Sequence, residues 1–152
     1  MNLFLETLIG GLLAGTMYSL VAIGFVLIYK ASGVFNYAQG AILLFAALTF
    51  VSLTDQGVPA VAAVALTIAA LVVLSVGVER LVLRPLTNRS PMTLFMATLG
   101  LSYIIEGVAQ GLMGAQVRAI DLGIEDVPIF LGDILISRFD LIAAAVSYTH
   151  LR

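Results

Sequence analysis

The chain has 152 residues, of which 61% are hydrophobic and 11% charged, and its mean hydropathy is +1.13. Soluble domains carry about 25% charged residues, so this composition cannot cover a water-facing surface and is that of a membrane protein. There is no Cys and one His, His150, near the end, which excludes a disulfide framework, a thiolate metal site and a thiol nucleophile and leaves no basis for a histidine-built centre.

The N-terminal MNLFLE has no Lys or Arg, whereas a secretory signal peptide needs a basic start, a shorter apolar core and a cleavage site. The uncharged stretch Thr7 to Tyr29 is long enough to cross a bilayer and is expected to be a retained first helix. The second apolar run, Ala31 to Thr54, lies between Lys30 and Asp55; the third, Gln56 to Val78, lies between Asp55 and Glu79 and has Pro59 near its start. A fourth begins at Ser90 or Pro91 and continues to about Val117, with Glu106 inside it, and a fifth begins near Phe139. The runs are continuous and far longer than the alternating segments of about ten residues that build a membrane barrel, so helices are expected. The expected fold class is therefore all-α: a polytopic membrane helix bundle of four spans plus the start of a fifth.

Charge distribution sets the orientation. The connection ERLVLRPLTNRSP, from Glu79 to Pro91, holds Arg80, Arg84 and Arg89. Placing this loop in the cytoplasm follows the positive-inside rule and puts Lys30 there too. It leaves Glu6, Asp55 and the acidic segment Arg118 to Asp140 outside, so the N-terminus is expected outside. Within that segment, Val127 to Ser137 reads as two short strands around Gly132-Asp133, and a two-residue loop led by glycine suits a type II′ turn. A small extracytoplasmic hairpin is expected.

Small residues line two helices. Gly11, Gly15 and Ser19 recur every four residues on the first, and Gly100, Gly107 and Gly111, with Gly114, fall near one face of the fourth. In lipid such stripes let helices pack closely; the alternative is that they let helices slide in a transport cycle. Glu106 is open to two readings as well. An ionisable residue at depth is a proton-carrier candidate, but it lies about 24 Å along a helix starting at Ser90, near the outer interface, where a carboxylate reaches water. Tyr18 and Tyr103 fit helix contacts better than ligand contacts. Arg80, Arg84 and Arg89 serve either orientation alone or a lipid-headgroup or partner-binding loop.

The stretch GVFNYAQGA, Gly33 to Ala41, is the polar feature that composition does not explain. One reading is an interfacial turn, with Gly33 ending one helix and Asn36 capping the next. The other is a helix break in which Asn36 and Gln39, framed by Gly33 and Gly40, present amides and backbone groups to a polar pathway, as discontinuous helices do in transporters. Residues alone leave the two even.

The run GGLLAGTMYSLVAIGFVLIYKASGVFNYAQGAILLFAA resembles the N-terminal part of the inner-membrane permease subunits of branched-chain amino acid ABC transporters. Tyr18, Leu20, Ala22 and Gly24 match that family's Tyr-x-Leu-x-Ala-x-Gly pattern, and Asn36, Tyr37, Ala38, Gln39 and Gly40 its Asn-Phe-Ala-His-Gly-like motif. ERLVLRPL and ATLGLSYII are similar to its Glu-Arg…Arg-Pro-Leu and Thr-Leu/Ile-Gly-Leu-Ser segments. Four motifs in order, over nearly the whole chain to about Val146, make the resemblance specific.

The resemblance implies a permease subunit of an ATP-driven importer in the bacterial inner membrane. It implies a second permease subunit, two cytoplasmic ATPase subunits, an extracytoplasmic solute-binding protein and the lipid bilayer as partners, and no nucleic acid. ATP is then hydrolysed by the partners, consistent with the absence of a GxxxxGK[ST] loop here; no cofactor, metal or catalytic residue is expected in this chain. Gln39 stands where the family usually has His, and an amide cannot titrate. The family's later half, with its coupling helix, has no counterpart here. Residues 1–146 are therefore expected to be the N-terminal part of the permease domain. Residues 147–152, SYTHLR, are expected to be a foreign or misread tail of a truncated fragment whose His150 and Arg152 do not suit a continuing helix. The rival readings are an ion-coupled secondary transporter using Glu106 and a non-transporting membrane assembly protein.

Overall fold

Long runs without proline or charge form long helices here. A computed structural model of the chain describes residues 2–33, 35–114, 116, 129–131 and 134–151. It contains α1 (Asn2–Ser32), α2 (Gln39–Asp55), α3 (Ala60–Val78), a π turn (Glu79–Leu83), a 3₁₀ turn (Arg84–Leu86), α4 (Pro91–Met113), strands β1 (Ile129–Leu131) and β2 (Ile134–Ile136), and α5 (Arg138–Leu151). Three of the helical stretches are long and apolar enough to cross a membrane: Leu3–Ala31, Ala60–Leu86 and Pro91–Met113; Gln39–Asp55 is apolar but shorter. The chain divides into two compact units, residues 31–120 and residues 1–30 with 121–152.

In the unit of residues 31–120, α2 packs against both α4 and α3. Tyr37 meets Phe95 near the starts of α2 and α4, with ring centroids 4.7 Å apart and edge-on. Thr49 Oγ1 lies 3.9 Å from Met113 Sδ near their ends, so the two helices run parallel, as a pair separated by one return helix must. The buried seam of α4 is Leu94, Thr98, Leu101, Ile105 and Ala109, spaced by three or four residues and hence on one face. Ala38 and Ala41 oppose it in a cluster with Val78, Leu101 and Ile105.

Each helix end in this unit has an identifiable stop. Gly57, at φ +83, follows α2; its N–H donates to Thr54 O (2.9 Å) and that of Val58 to Leu53 O (3.1 Å), a Schellman arrangement. Pro59 then precedes α3. Ser90 caps α4, its hydroxyl accepting from Thr93 N–H at 3.3 Å, and Pro91 takes the first helical position. At the end of α3 the ladder widens: Arg84 N–H donates to Glu79 O. In a regular α-helix the Pro85 ring would strike the Leu81 carbonyl, and the π turn just before it relieves that clash.

The second unit holds most of α1, the strand pair and α5. Hydroxyls along α1 fold back onto its own carbonyls: Thr7 on Leu3 O, Thr16 on Leu13 O and Ser19 on Gly15 O, at 2.7–2.8 Å. The strands are antiparallel, with Phe130 opposite Leu135. Leu135 N–H donates to Glu6 Oε1 at 3.0 Å, so the carboxylate at the start of α1 covers an edge donor of β2. Ser137 caps α5 through Asp140 N–H at 3.2 Å.

Four expectations change. The second helix begins at Gln39, not Ala31, because Ala31 and Ser32 complete α1 and residues 35–38 form a turn. Lys30 therefore sits in the last turn of α1, where a cation suits the helix dipole. Arg80 and Arg84 lie on helical turns continuing α3 rather than in a loop, and only Arg89 falls in the connection; apolar Leu81, Val82 and Leu83 carry the helix past the charges. α4 ends at Met113 with Gly114 at φ +86, short of Val117. The helix α5 runs through Ser147, Tyr148, Thr149 and His150, with His150 Nδ1 2.8 Å from Val146 O, so the backbone has no break at Val146. The Gly132-Asp133 turn lies outside the described residues.

Because Ile105 is 4% exposed and Gly100 faces open space, substitutions at the two should diverge. Ile105→Ala should destabilise the detergent-solubilised chain by about 2 kcal/mol or more. Gly100→Ala should be neutral or stabilising by up to about 1 kcal/mol, from helix propensity alone. Denaturant titration followed by circular dichroism measures both; equal effects would contradict the seam as drawn.

Candidate functional site: the Gly33–Gly40 turn

Residues 33–38 connect α1 to α2. Gly33, at φ +67, follows the last helical residue Ser32, where the left-handed conformation ends a helix and glycine adopts it without strain. Asn36 then sets the next helix. Its Oδ1 accepts from Ala38 N–H at 3.0 Å, and its carbonyl accepts a longer bond, 3.4 Å, from Gln39 N–H. This is an Asx turn. It replaces the usual side-chain cap, since Ala38 occupies the cap position and has no side chain to offer.

Asn36 is 8% exposed, unusual for an amide in so apolar a chain. Gln39 is half-buried at the first position of α2. Phe35 and Tyr37 flank the asparagine, their ring centroids 5.4 Å apart, and Tyr37 reaches Phe95. The turn is thus pinned to α4 by an aromatic edge contact and to α2 by the Asx bond. Gly40 is exposed, and a Cβ there would meet nothing within 4 Å. Its lack of a side chain is not required by any neighbour in its own unit.

The arrangement offers hydrogen-bonding amides and backbone groups but no nucleophile–base pair. No group of three His, Asp or Glu occurs among the described residues, so nothing described here assembles a metal centre. Glu106 is half-buried on α4, well along the helix from the turn.

The other candidate residues lie on other elements. Gly11, Gly15 and Ser19 form one face of α1, and a Cβ at either glycine meets no atom within 4 Å. Gly100, Gly107 and Gly111 likewise face open space, about 140° around α4 from its buried seam by helical geometry. Tyr18 and Tyr103 are exposed, as are Arg80, Arg84 and Arg89. Sequence reasoning missed Thr98, which is fully buried with its hydroxyl on Phe95 O at 3.0 Å; its place on the Leu94–Leu101–Ile105 face was the available signal. It also missed Thr67, whose buried Oγ1 has no hydrogen-bond partner among the described residues.

The family model described as "Branched-chain amino acid transport system / permease component" matches residues 7–150. A curated relative, the high-affinity branched-chain amino acid transport system permease protein BraD of Pseudomonas aeruginosa, is 25% identical over 126 residues, which cover 77% of this chain and 41% of the relative. The chain thus spans less than half the length of that relative. No solved structure matches. With a family match covering nearly all of its length, the chain belongs to the branched-chain amino acid transport permease family.

Proposed function

We propose that the chain forms the N-terminal part of a permease subunit in an ATP-driven importer of branched-chain or related amino acids. The family match over residues 7–150 carries this reading. In it, a solute-binding protein delivers the amino acid outside, a second permease subunit completes the pathway, and cytoplasmic ATPase subunits supply the energy. The membrane is the bacterial inner membrane, with the N-terminus outside. The supporting observation for orientation is that Arg80, Arg84 and Arg89 fall between α3 and α4 while Asp55 falls between α2 and α3.

Gly33, Asn36, Gln39 and Gly40 are proposed to line or support the pathway where α2 begins. Asn36 divides its functions: Oδ1 holds the Ala38 N–H, while the amide nitrogen, with two donors, makes no hydrogen bond among the described residues. That nitrogen is the group offered to a passing solute or its water.

Two experiments test these readings. In intact cells, a membrane-impermeant thiol reagent should label Asp55→Cys and leave Arg84→Cys unlabelled; the native chain has no Cys to interfere. Labelling of Arg84→Cys would reverse the orientation. In the full-length permease reconstituted with its partners, Asn36→Ser retains an oxygen able to make the turn bond, more weakly, but loses the NH₂ donors. Uptake normalised to protein should fall severalfold or more with membrane abundance unchanged. Unaltered uptake would leave Asn36 as a turn residue only.

A further inference from the structure

The unit of residues 31–120 has an apolar groove of about 330 Å³ between α3 and α4, reached also by Phe45 of α2. That volume lies at the lower end of small-molecule sites. Buried Val78, Leu101 and Ile105 form its floor, and exposed Val73, Ile104 and Val108 its walls. No polar side chain among the described residues lines it. Gly77 lies in the wall, where the missing side chain leaves the space open: a Cβ there would meet nothing within 4 Å.

The groove is not apolar all the way along the chain that builds it. Leu81 and Val82, in the π turn, line one end. Arg80 and Arg84 flank them in sequence, both exposed and neither with an ion-pair partner among the described residues. The π turn imposed before Pro85 keeps these arginines on ordered helical backbone, continuous with the wall of the groove. A hydrocarbon slot lined at one end by Leu81 and Val82, with exposed Arg80 and Arg84 next to them in sequence, matches the chemistry of an acyl chain joined to a phosphate. Guanidinium binds phosphate oxygens in a fork, and the slot takes the chain.

We propose that this groove is a binding site for an anionic glycerophospholipid of the surrounding bilayer, with one acyl chain along Val78, Leu101 and Ile105 and the phosphate held by Arg80 and Arg84. A zwitterionic lipid fits the slot equally but gains less at the arginines, because its headgroup has no net negative charge. The site does not depend on which way the chain faces across the membrane.

The test uses the full chain in phosphatidylcholine vesicles doped with acyl-spin-labelled phosphatidylglycerol or phosphatidylcholine, reading the motionally restricted fraction by electron paramagnetic resonance. The native chain should restrict phosphatidylglycerol at least about fivefold more strongly. Arg80→Gln with Arg84→Gln should bring the two lipids close to parity. Gly77→Phe, at a position where a Cβ meets nothing within 4 Å, should project its ring into the slot and abolish the restricted component for both; Gly77→Leu serves if the larger ring disturbs folding, with helix content by circular dichroism as the control. Equal restriction of the two lipids by the native chain would overturn the proposal. So would anionic preference surviving the groove-filling variants, which would reduce the effect to surface attraction. A restricted fraction that falls as protein density rises would also overturn it, assigning the groove to a second copy.

Discussion

Water is absent from the interior of a bilayer, so every backbone N–H and C=O must find its partner in the protein. The chain meets that demand along its spans with helices, and its helix ends, several of them exposed, also find partners within the chain. Gly57 closes α2 through two backbone bonds, Ser90 and Ser137 start α4 and α5 with hydroxyls, and Glu6 covers an edge N–H of β2. Asn36 does the same for α2 from two residues ahead of the cap position. The hydroxyls within spans obey the same rule by bonding carbonyls one turn back, as Thr49 and Thr54 do. α2 consequently has a defined origin and a length of 17 residues, about 25 Å, at the short limit for crossing the hydrocarbon region.

Small residues are used in two different ways. Ala38 and Ala41 sit in the seam, where their size lets α2 approach the bulky Leu101 and Ile105. The glycines of α1 and α4 make no such contact within their units. Lipid gives such bare faces little beyond dispersion contact, and in membranes it is close backbone approach that makes a glycine face cohesive. α4 therefore presents two distinct surfaces, a filled one toward α2 and an open one nearly opposite it. The open one suits contact with further helices of an assembled permease.

Composition and charge made the helical membrane character legible, because runs of about 20 uncharged residues have few other physical outcomes. The helix boundaries were less so. Charges mark loops poorly here, since Lys30, Arg80 and Arg84 all lie on helical turns. A long cationic side chain reaches the interface from within a helix, so charge reports depth more reliably than it reports a turn. Conformation-setting residues were better guides: Gly33, Pro59 and Ser90 each stand at a true boundary. The family resemblance was carried by motifs spread over the chain, and the match to residues 7–150 agrees with it. The aromatic pin from Tyr37 to Phe95 was out of reach, since nothing local in either segment encodes a contact 58 positions away (95 minus 37). The apolar groove was equally hidden, because its lining comes from three separated helices.

The turn at residues 33–40 also changes the question put to it. A capping role and a pathway role for Asn36 are alternatives only if the side chain has one function to give. An amide has an acceptor and two donors on different atoms, and here the acceptor alone is engaged in holding Ala38. Burial of the residue makes that bond costly to lose, since an unsatisfied N–H in apolar surroundings costs about 1–3 kcal/mol. The same bond orients the side chain and so fixes where its NH₂ points. Under the proposed pathway role, turn structure and recognition would be coupled through one residue: a substitution that frees the turn also releases the donor, whereas one that keeps an acceptor and removes the donor separates them. Aspartate is the complementary probe, retaining the acceptor but placing a carboxylate at a buried position between Phe35 and Tyr37, where desolvation of a charge is severe.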